Sequence, residues 1–335
     1  MAVYHVPLAL GKRLLAAGRF RALMGFMIVT VTLNPTLDRT FSVPILRPGT
    51  VHRAQLLRED LGGKGINVSR ALRALDIPSR LTGFLGGRTG QAMQSDLVAD
   101  GFDVCFIEVD GETRQNITLF DEARRQYTKI NEPGPTVDPQ QLAALQSQVE
   151  QMAAAGDLWA FCGSLPPGAP ADLYARLVRQ VQGKGARAFL DSSGPALRAG
   201  LGARPFAIKP NSEEAADLLG YSLNSDEDHC RAVRRLRAEG VQLVALSRGA
   251  QGLVLAMDGE VLMATPPPVT ARSPVGAGDA SLAGLLWAIG EECSPAETAA
   301  RAVACGTATA MQEGTAVGDR ALVEQLLGQV TVSPV

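Results

Sequence analysis

Ile28-Val29-Thr30-Val31-Thr32-Leu33-Asn34-Pro35-Thr36-Leu37-Asp38 is a β-branched apolar run that stops at a turn signal and is followed by an acid. Val, Ile and Thr favour a strand over residues 28–33, and Asn34-Pro35 ends it. Four further short apolar runs lie at 158–162, 188–190, 206–208 and 243–246. Between them lie longer stretches with apolar residues three and four apart, which predict helices over 64–75, 139–154, 171–182, 212–219, 229–238, 277–289 and 295–311. Short buried strands alternating with helices argue an α/β fold: a doubly wound, mainly parallel sheet with helices on both faces. Two stretches break this rhythm. Residues 39–57 and 113–130 alternate polar and apolar side chains without helical period, which predicts a small, half-buried antiparallel lid of about four strands.

The chain has 335 residues, of which 46% are hydrophobic and 20% charged, the profile of a compact globular protein. Lys and Arg number 32 against 34 Asp and Glu, so no basic field exists to hold nucleic acid or an anionic membrane. Five scattered cysteines without a C-x-x-C pair read as buried free thiols of a reducing cytoplasm. The three histidines show no zinc-ligand spacing, and no apolar run approaches the roughly 20 residues of a membrane helix. Chemistry must therefore run on carboxylates, lysines, arginines and backbone. Residues 1–26 carry Lys12, Arg13, Arg19 and Arg21 and no acid, and are expected to be a non-functional extension ahead of a single domain over 27–330.

The sharpest motif is Pro274-Val275-Gly276-Ala277-Gly278-Asp279-Ala280, directly before an apolar helical run. Glycines at a helix start let several N–H groups converge on an anion, with Asp279 in the same turn; a merely dipole-satisfying acid is the alternative. Gly62-Gly63-Lys64-Gly65-Ile66-Asn67 also opens a helix and lets backbone approach a small, hydroxyl-rich ligand. It matches neither a Walker A loop nor G-x-G-x-x-G. Asp38, placed at the carboxyl end of the first strand, can accept two hydroxyls or form an Asx turn. Arg114 in Thr113-Arg114-Gln115-Asn116 can clasp a phosphate bidentately. In Lys209-Pro210-Asn211-Ser212-Glu213-Glu214, Asn211 and Glu214 share a helix face and could orient the waters of Mg²⁺, or simply cap the helix. Ser247-Arg248-Gly249-Ala250-Gln251-Gly252 suits a nucleotide edge or a plain hairpin.

Taken in order, N-P-x-x-D at 34–38, GGKGIN at 62–67, TRQN at 113–116, CGSLPPG at 162–168, DSSGPAL at 191–197, KPNSEE at 209–214, SRGAQG at 247–252 and VGAGDA at 275–280 resemble the phosphofructokinase B family of ribokinase-like sugar kinases. The resemblance spans about residues 27–328 and is nearest to the subgroup acting on phosphorylated ketohexoses, which contains 1-phosphofructokinase, the minor 6-phosphofructokinase and tagatose-6-phosphate kinase. It implies that Gly276, Ala277 and Gly278 form the anion hole for the transferring phosphoryl group, with Asp279 as the base. It further implies that Asp38, Gly62, Gly63 and Asn67 hold the sugar, that Arg114 holds its phosphate, and that Lys64 reaches the transferring group. Lys209 and Asn211 would face the ATP phosphates, Asn211 and Glu214 the Mg²⁺, and Ser247, Gly249 and Gly252 the rest of the nucleotide. Arg248 departs from the apolar residue that many relatives place there, and His52 and Arg53 stand where some relatives use basic residues on the substrate phosphate.

The expectation is therefore an ATP- and Mg²⁺-dependent kinase of fructose 6-phosphate, with fructose 1-phosphate or tagatose 6-phosphate as the alternative substrate. A catalytically silent sugar-phosphate-binding regulator is the reading from another class, although it would have no use for Asp279. A dehydrogenase is disfavoured by the missing dinucleotide fingerprint. Asp279, at a helix N-terminus, is expected to stay ionised. A lid sheet with one uncovered face predicts a homodimer through the lids.

Overall fold

The structure, a computed structural model, describes residues 25–335, so residues 1–24 of the expected extension lie outside the described residues. The main sheet has ten strands in the order β14-β13-β12-β11-β10-β9-β8-β1-β4-β5. The five apolar runs read from the sequence are its parallel centre: β1 (Ile28–Thr32), β8 (Leu158–Cys162), β9 (Arg187–Asp191), β10 (Ala207–Ile208) and β11 (Leu243–Ser247). Parallel β4 (Arg80–Gly86) and β5 (Asp103–Val109) extend one side. Antiparallel β12 (Leu253–Met257), β13 (Glu260–Thr265) and β14 (Thr331–Pro334) extend the other.

Period-two alternation divides the core between the two faces of this sheet. Val29, Val31, Trp159 and Phe161 enter one apolar cluster, while Ile28, Leu158, Ala160 and Cys162 enter the other. The first face is covered by α3 (Pro139–Met152), α4 (Leu173–Gly183), α5 (Gly194–Leu201), α6 (Ser212–Leu219) and α7 (Asp226–Ala238). The second is covered by α1 (Lys64–Ala74), α8 (Ala277–Gly290), α9 (Pro295–Ala310) and α10 (Arg320–Leu327). Helix α8 is buried from Asp279 to Ile289, as an all-round apolar helix must be, and Phe26 packs against Gly290 at its end. Each fully buried large side chain, such as Phe161, contributes roughly 1.5–3 kcal/mol.

The alternating segments form a separate four-stranded sheet, β3-β2-β6-β7, built from β2 (Thr36–Val43), β3 (Gln55–Gly62), β6 (Arg114–Asp121) and β7 (Gln126–Asn131). Two expectations change here. The first segment spans 36–62 rather than 39–57, and the central β2–β6 pair is parallel, so the sheet is mixed. Asp38 consequently lies inside β2 and not at the end of β1. Strand β1 runs into β2 through residues 33–35 and β3 runs straight into α1, so the small sheet is anchored at the carboxyl end of the parallel strands, where α/β sheets present ligands. Helix α2 (Gly87–Ala99) and β5 close a third, smaller core against Leu37 and Leu61 of the small sheet. None of the five cysteines is in a disulfide, but Cys105 and Cys293 are only partly buried, contrary to expectation. No helix among the described residues is long and apolar enough to cross a membrane.

Candidate active site

Gly276 begins the site in the left-handed region, at φ 78°, and caps α8. Among the described residues, the N–H groups of Gly276, Gly278 and Asp279 have no protein acceptor, so the turn presents unpaired donors at a helix N-terminus. Ala277 differs from the expectation: its N–H closes a turn on Pro274 O at 3.3 Å.

Asp279 is 8% exposed and accepts a hydrogen bond from Asn67 Nδ2 at 2.8 Å. Burial first, and then the charge of Asp191, raise its pKa to about 6, against the pull of Asn67, Lys209 and Lys64. The helix N-terminus therefore does not hold it at an ordinary carboxylate value. It is ionised at neutral pH and protonated not far below, the range that suits a general base.

Asn67 reaches Asp279 because Gly63, at φ 128°, turns the chain into α1 one residue before Lys64. Gly62 is fixed by close approach, since a Cβ there would lie 2.3 Å from Asp38 Oδ2. Asp38 Oδ1 in turn accepts from Asn116 Nδ2 at 2.8 Å and Thr36 Oγ1 at 3.2 Å. Burial raises the Asp38 pKa despite these two bonds and the nearby Arg114.

Two lysines converge from the other side. Lys64 Nζ lies 2.7 Å from Asp191 Oδ1, and Lys209 Nζ lies 2.9 Å from Asp191 Oδ2. Asp191, at the carboxyl end of β9, is 1% exposed. Burial pushes its pKa up, but Lys209 and Lys64 outweigh burial and hold it below the usual range. Burial likewise pulls Lys64 down, and Asp191, Glu214 and Asp279 together carry it above its usual value. A Cβ on Gly278 would lie 3.6 Å from Lys209 Nζ, which puts that ammonium beside the unpaired amides of α8. Asp191 was not singled out as a site residue from the sequence. Its signal was available, as an acid ending a buried apolar run just before Ser192-Ser193-Gly194.

Asn211 and Glu214 form a capping box: Asn211 Oδ1 accepts from Glu214 N at 2.8 Å, and Glu214 Oε2 accepts from Asn211 N at 2.9 Å. The capping alternative is thus present in the fold. Glu214 Oε1 remains directed to the lysine side, 4.0 Å from Lys64 Nζ. No group of three or more His, Cys, Asp or Glu that could cage a metal occurs among the described residues. This donor set fits an ion that keeps its own waters, as Mg²⁺ does, and would not hold one stripped of them.

Asn211 and Ser247 are bridged as parallel neighbours, so two of the expected nucleotide residues meet. Gly249 opens the short 3₁₀ turn beside them. Gly252 has a packing reason of its own, because a Cβ there would lie 2.0 Å from Ala264 O. Arg248 folds back onto Asp226, with its side chain 6% exposed. Arg114 does not project freely: it donates to Asn34 O at 3.0 Å, Glu132 O at 3.3 Å and Pro35 O at 3.4 Å, which ties β6 to the turn between β1 and β2. His52 is engaged with Arg47 O at 2.9 Å in its own loop, and Arg53 is exposed.

The arrangement offers a proton acceptor, a cradle of unpaired amides and two ammonium groups at one point, with hydroxyl-binding groups on the small sheet beside it. That set stabilises charge on a transferring anion and accepts a proton from its acceptor.

Known proteins share this plan. The pfkB family carbohydrate kinase pattern matches residues 29–321. A 1-phosphofructokinase from Rhodobacter capsulatus is 40% identical over 282 residues, covering 84% of this chain and 89% of that protein. A 1-phosphofructokinase from Bacillus subtilis (strain 168) is 34% identical over 307 residues, covering 92% and 99%. Among solved structures, phosphofructokinase-2 from Escherichia coli in complex with fructose-6-phosphate superposes with a TM-score of 0.84 at 28% identity, covering 91% of this chain and 99% of that one.

Proposed function

Since the chain belongs to the pfkB family of carbohydrate kinases, we propose that it is an ATP-dependent 1-phosphofructokinase, converting fructose 1-phosphate to fructose 1,6-bisphosphate. The observation that carries the chemistry is Asp279, held by Asn67 beside the unpaired amides of α8 and facing two lysines paired on Asp191. The substrate rests on the relatives: those at 33–40% identity are named 1-phosphofructokinase, which favours the 1-phosphate over the 6-phosphate that the motifs first suggested. Fructose 6-phosphate remains the second reading, because the phosphofructokinase-2 likeness is to a complex with that sugar phosphate. A fructofuranose ring is nearly two-fold symmetric, so one pocket can take it either way round.

In this reading Asp279 takes the proton of the acceptor hydroxyl at C6 as its oxygen bonds to the γ-phosphorus of ATP, and the bond to the β–γ bridging oxygen breaks to release ADP. The amides at the start of α8 and the ammonium groups of Lys64 and Lys209 offset the charge spread over the γ-oxygens. Asp38, with Asn116 behind it, orients the ring hydroxyls. Arg114 pins the 34–35 turn and offers its remaining N–H groups to the substrate phosphate. Asn211, Ser247 and Gly249 line the nucleotide side, and Gly252 shapes the turn that carries them. Mg²⁺, held through water by Glu214, would neutralise the nucleotide phosphates.

The exposed face of the small sheet supports a homodimer. Cross-strand pairs Phe41–Leu56, Phe41–Leu119 and Ile117–Ile130 gather apolar side chains on the face opposite Asp38, where Leu56 is 44% and Ile130 51% exposed. A second copy packed face to face would cover them.

The deciding experiment is initial-rate ADP release with MgATP and, in turn, fructose 1-phosphate, fructose 6-phosphate and tagatose 6-phosphate. The highest kcat/KM is expected on fructose 1-phosphate. A higher value on fructose 6-phosphate installs the second reading, and no turnover of any of the three overturns the kinase reading.

A further inference from the structure

The connection between α9 and α10, residues 311–319, runs from the glycine turn to the small sheet and is bonded at both ends. At the sheet end, Thr315 Oγ1 donates to Asp60 Oδ1 at 2.7 Å. Asp60 lies in β3, two residues before Gly62, and its other oxygen is ion-paired with Arg58 of the same strand. At the turn end, Gly314 O accepts from Ser273 Oγ at 2.8 Å, and Ser273 Oγ accepts from Val275 N at 3.2 Å. Ser273 is buried, and the N–H groups of Arg272 and Ser273 are anchored on Ala310 O at 2.8 and 3.1 Å, so its hydroxyl is not free to drift. Val275 directly precedes Gly276, the residue that opens the anion cradle. Three direct hydrogen bonds, joined by the peptide link between Gly314 and Thr315, thus lead from the strand that delivers Gly62 and Gly63, through Asp60, Thr315, Gly314 and Ser273, to the turn that presents the amides of α8.

We propose that Thr315 is a positioning residue that couples the two halves of the site: seating of a sugar phosphate against the small sheet, transmitted through Thr315 and Ser273, sets the glycine turn for the nucleotide. Thr315 touches neither ligand and acts only through its neighbours. The hydroxyl carries the link, because a neutral O–H donated to a carboxylate is a strong, directional bond, and the main chain at 314 passes the constraint on without a flexible side chain between. Coupling between sites is a free energy, and it is reciprocal. Sugar phosphate must therefore tighten nucleotide by the same factor as nucleotide tightens sugar phosphate. This inference rests on the kinase reading for the identity of the two ligands.

The test is a binding cycle by calorimetry, measuring the Kd of the Mg²⁺ complex of a non-hydrolysable ATP analogue with and without saturating fructose 1-phosphate, and again with fructose 6-phosphate. The wild-type chain is expected to bind the analogue about five-fold or more tightly in the presence of its sugar phosphate, within the usual range of coupling. In Thr315→Val the two separate Kd values stay within about two-fold of wild type while the coupling factor falls towards one, and Thr315→Ser restores it. A merely structural role would weaken both ligands and leave their ratio unmoved. An unaltered factor in Thr315→Val, or a wild-type chain that binds both ligands without coupling, overturns this proposal alone. A wild-type chain that binds neither ligand overturns the kinase reading and takes this proposal with it.

Discussion

Asp191, at the carboxyl end of β9, is 1% exposed and bonded by two lysines, whereas every one of the six residues of β7 in the small sheet is exposed. The two regions flank the same site on opposite physical terms. Along the rim of the main sheet, charges are buried and can persist only because each is answered by an opposite charge or a hydrogen-bond donor: Asp191 by Lys64 and Lys209, Asp279 by the amide of Asn67. The small sheet is mostly half-buried or exposed, and what stands out on its outer face is exposed apolar side chains such as Leu56 and Ile130. Where charges are forced together the chain can do chemistry, because their proton affinities are set by neighbours rather than by water. Where apolar surface is left open it can recognise and associate. This comparison makes distinct predictions for the two regions.

The largest effect is expected at the rim, where function and stability should move in opposite directions. Asp279→Asn is expected to lower kcat by about 10²–10⁴, the general-base range, with substrate affinity little changed. It should also stabilise the fold. The Asp279 pKa of about 6 lies above the unperturbed 3.8, so ionising the group in the native state costs free energy. That cost is fully present above about pH 6 and is relieved as pH falls towards about 4, where the group is protonated in both states. The variant should gain about 1–3 kcal/mol at about pH 8 and little at about pH 4, measured by denaturant unfolding at the two pH values. A destabilised variant at high pH would break the claim that the rim carries strained charge. Asp191→Ala should do the reverse, costing about 3 kcal/mol because Lys209, nearly as buried, is left unpaired, and weakening nucleotide binding as both lysines lose their common anchor.

The same contrast explains what could be read from the sequence. Strands β1, β8, β9, β10 and β11 were legible because burial on both faces makes each of them a short apolar run. β4 was not, because Arg80, Thr82 and two glycines interrupt its pattern although all but Arg80 are buried. The first turn of α7 was missed because Asp226-Glu227-Asp228 has no apolar period; it is held by the Ser225–Asp228 capping box. In the small sheet, alternation showed that strands existed but not how they pair, and the parallel β2–β6 contact joins segments more than seventy residues apart. Of the site, Asp279, Asn67, Lys64 and Lys209 are brought together, and each leaves a local trace: glycine turns before α1 and α8, and for Lys209 the strand end before Pro210-Asn211. Asp191 does not announce itself, since its role lies in two lysines that meet only after folding. The engagement of Arg114 with the carbonyls of Asn34, Pro35 and Glu132 depends likewise on the small sheet's register.

A smaller effect sharpens the account of the rim. Asn67 donates the hydrogen bond that holds down the Asp279 pKa against burial and the Asp191 charge. Asn67→Ala should move the acid limb of kcat/KM upward, by up to about one unit, since that profile reports the free enzyme. An unmoved limb would mean that Asp279 is not the group whose ionisation governs the rate.

The smallest effect on turnover is expected on the small sheet. Ile130, 51% exposed on the face opposite Asp38 and paired across the strand with Ile117, makes none of the site contacts. Ile130→Glu puts a charge into the proposed interface, where it would have to be desolvated on pairing, while in a separate protomer it meets only water. Light scattering at micromolar concentration is therefore expected to change from dimer to monomer. Each protomer should keep its fold to within about 0.5 kcal/mol, as exposed substitutions usually do, and kcat should stay within about two-fold. A variant that stays dimeric would place the contact elsewhere. A monomer with collapsed turnover would erase the division drawn between the two regions, because the apolar face would then be completing the site through a second copy and not merely covering itself.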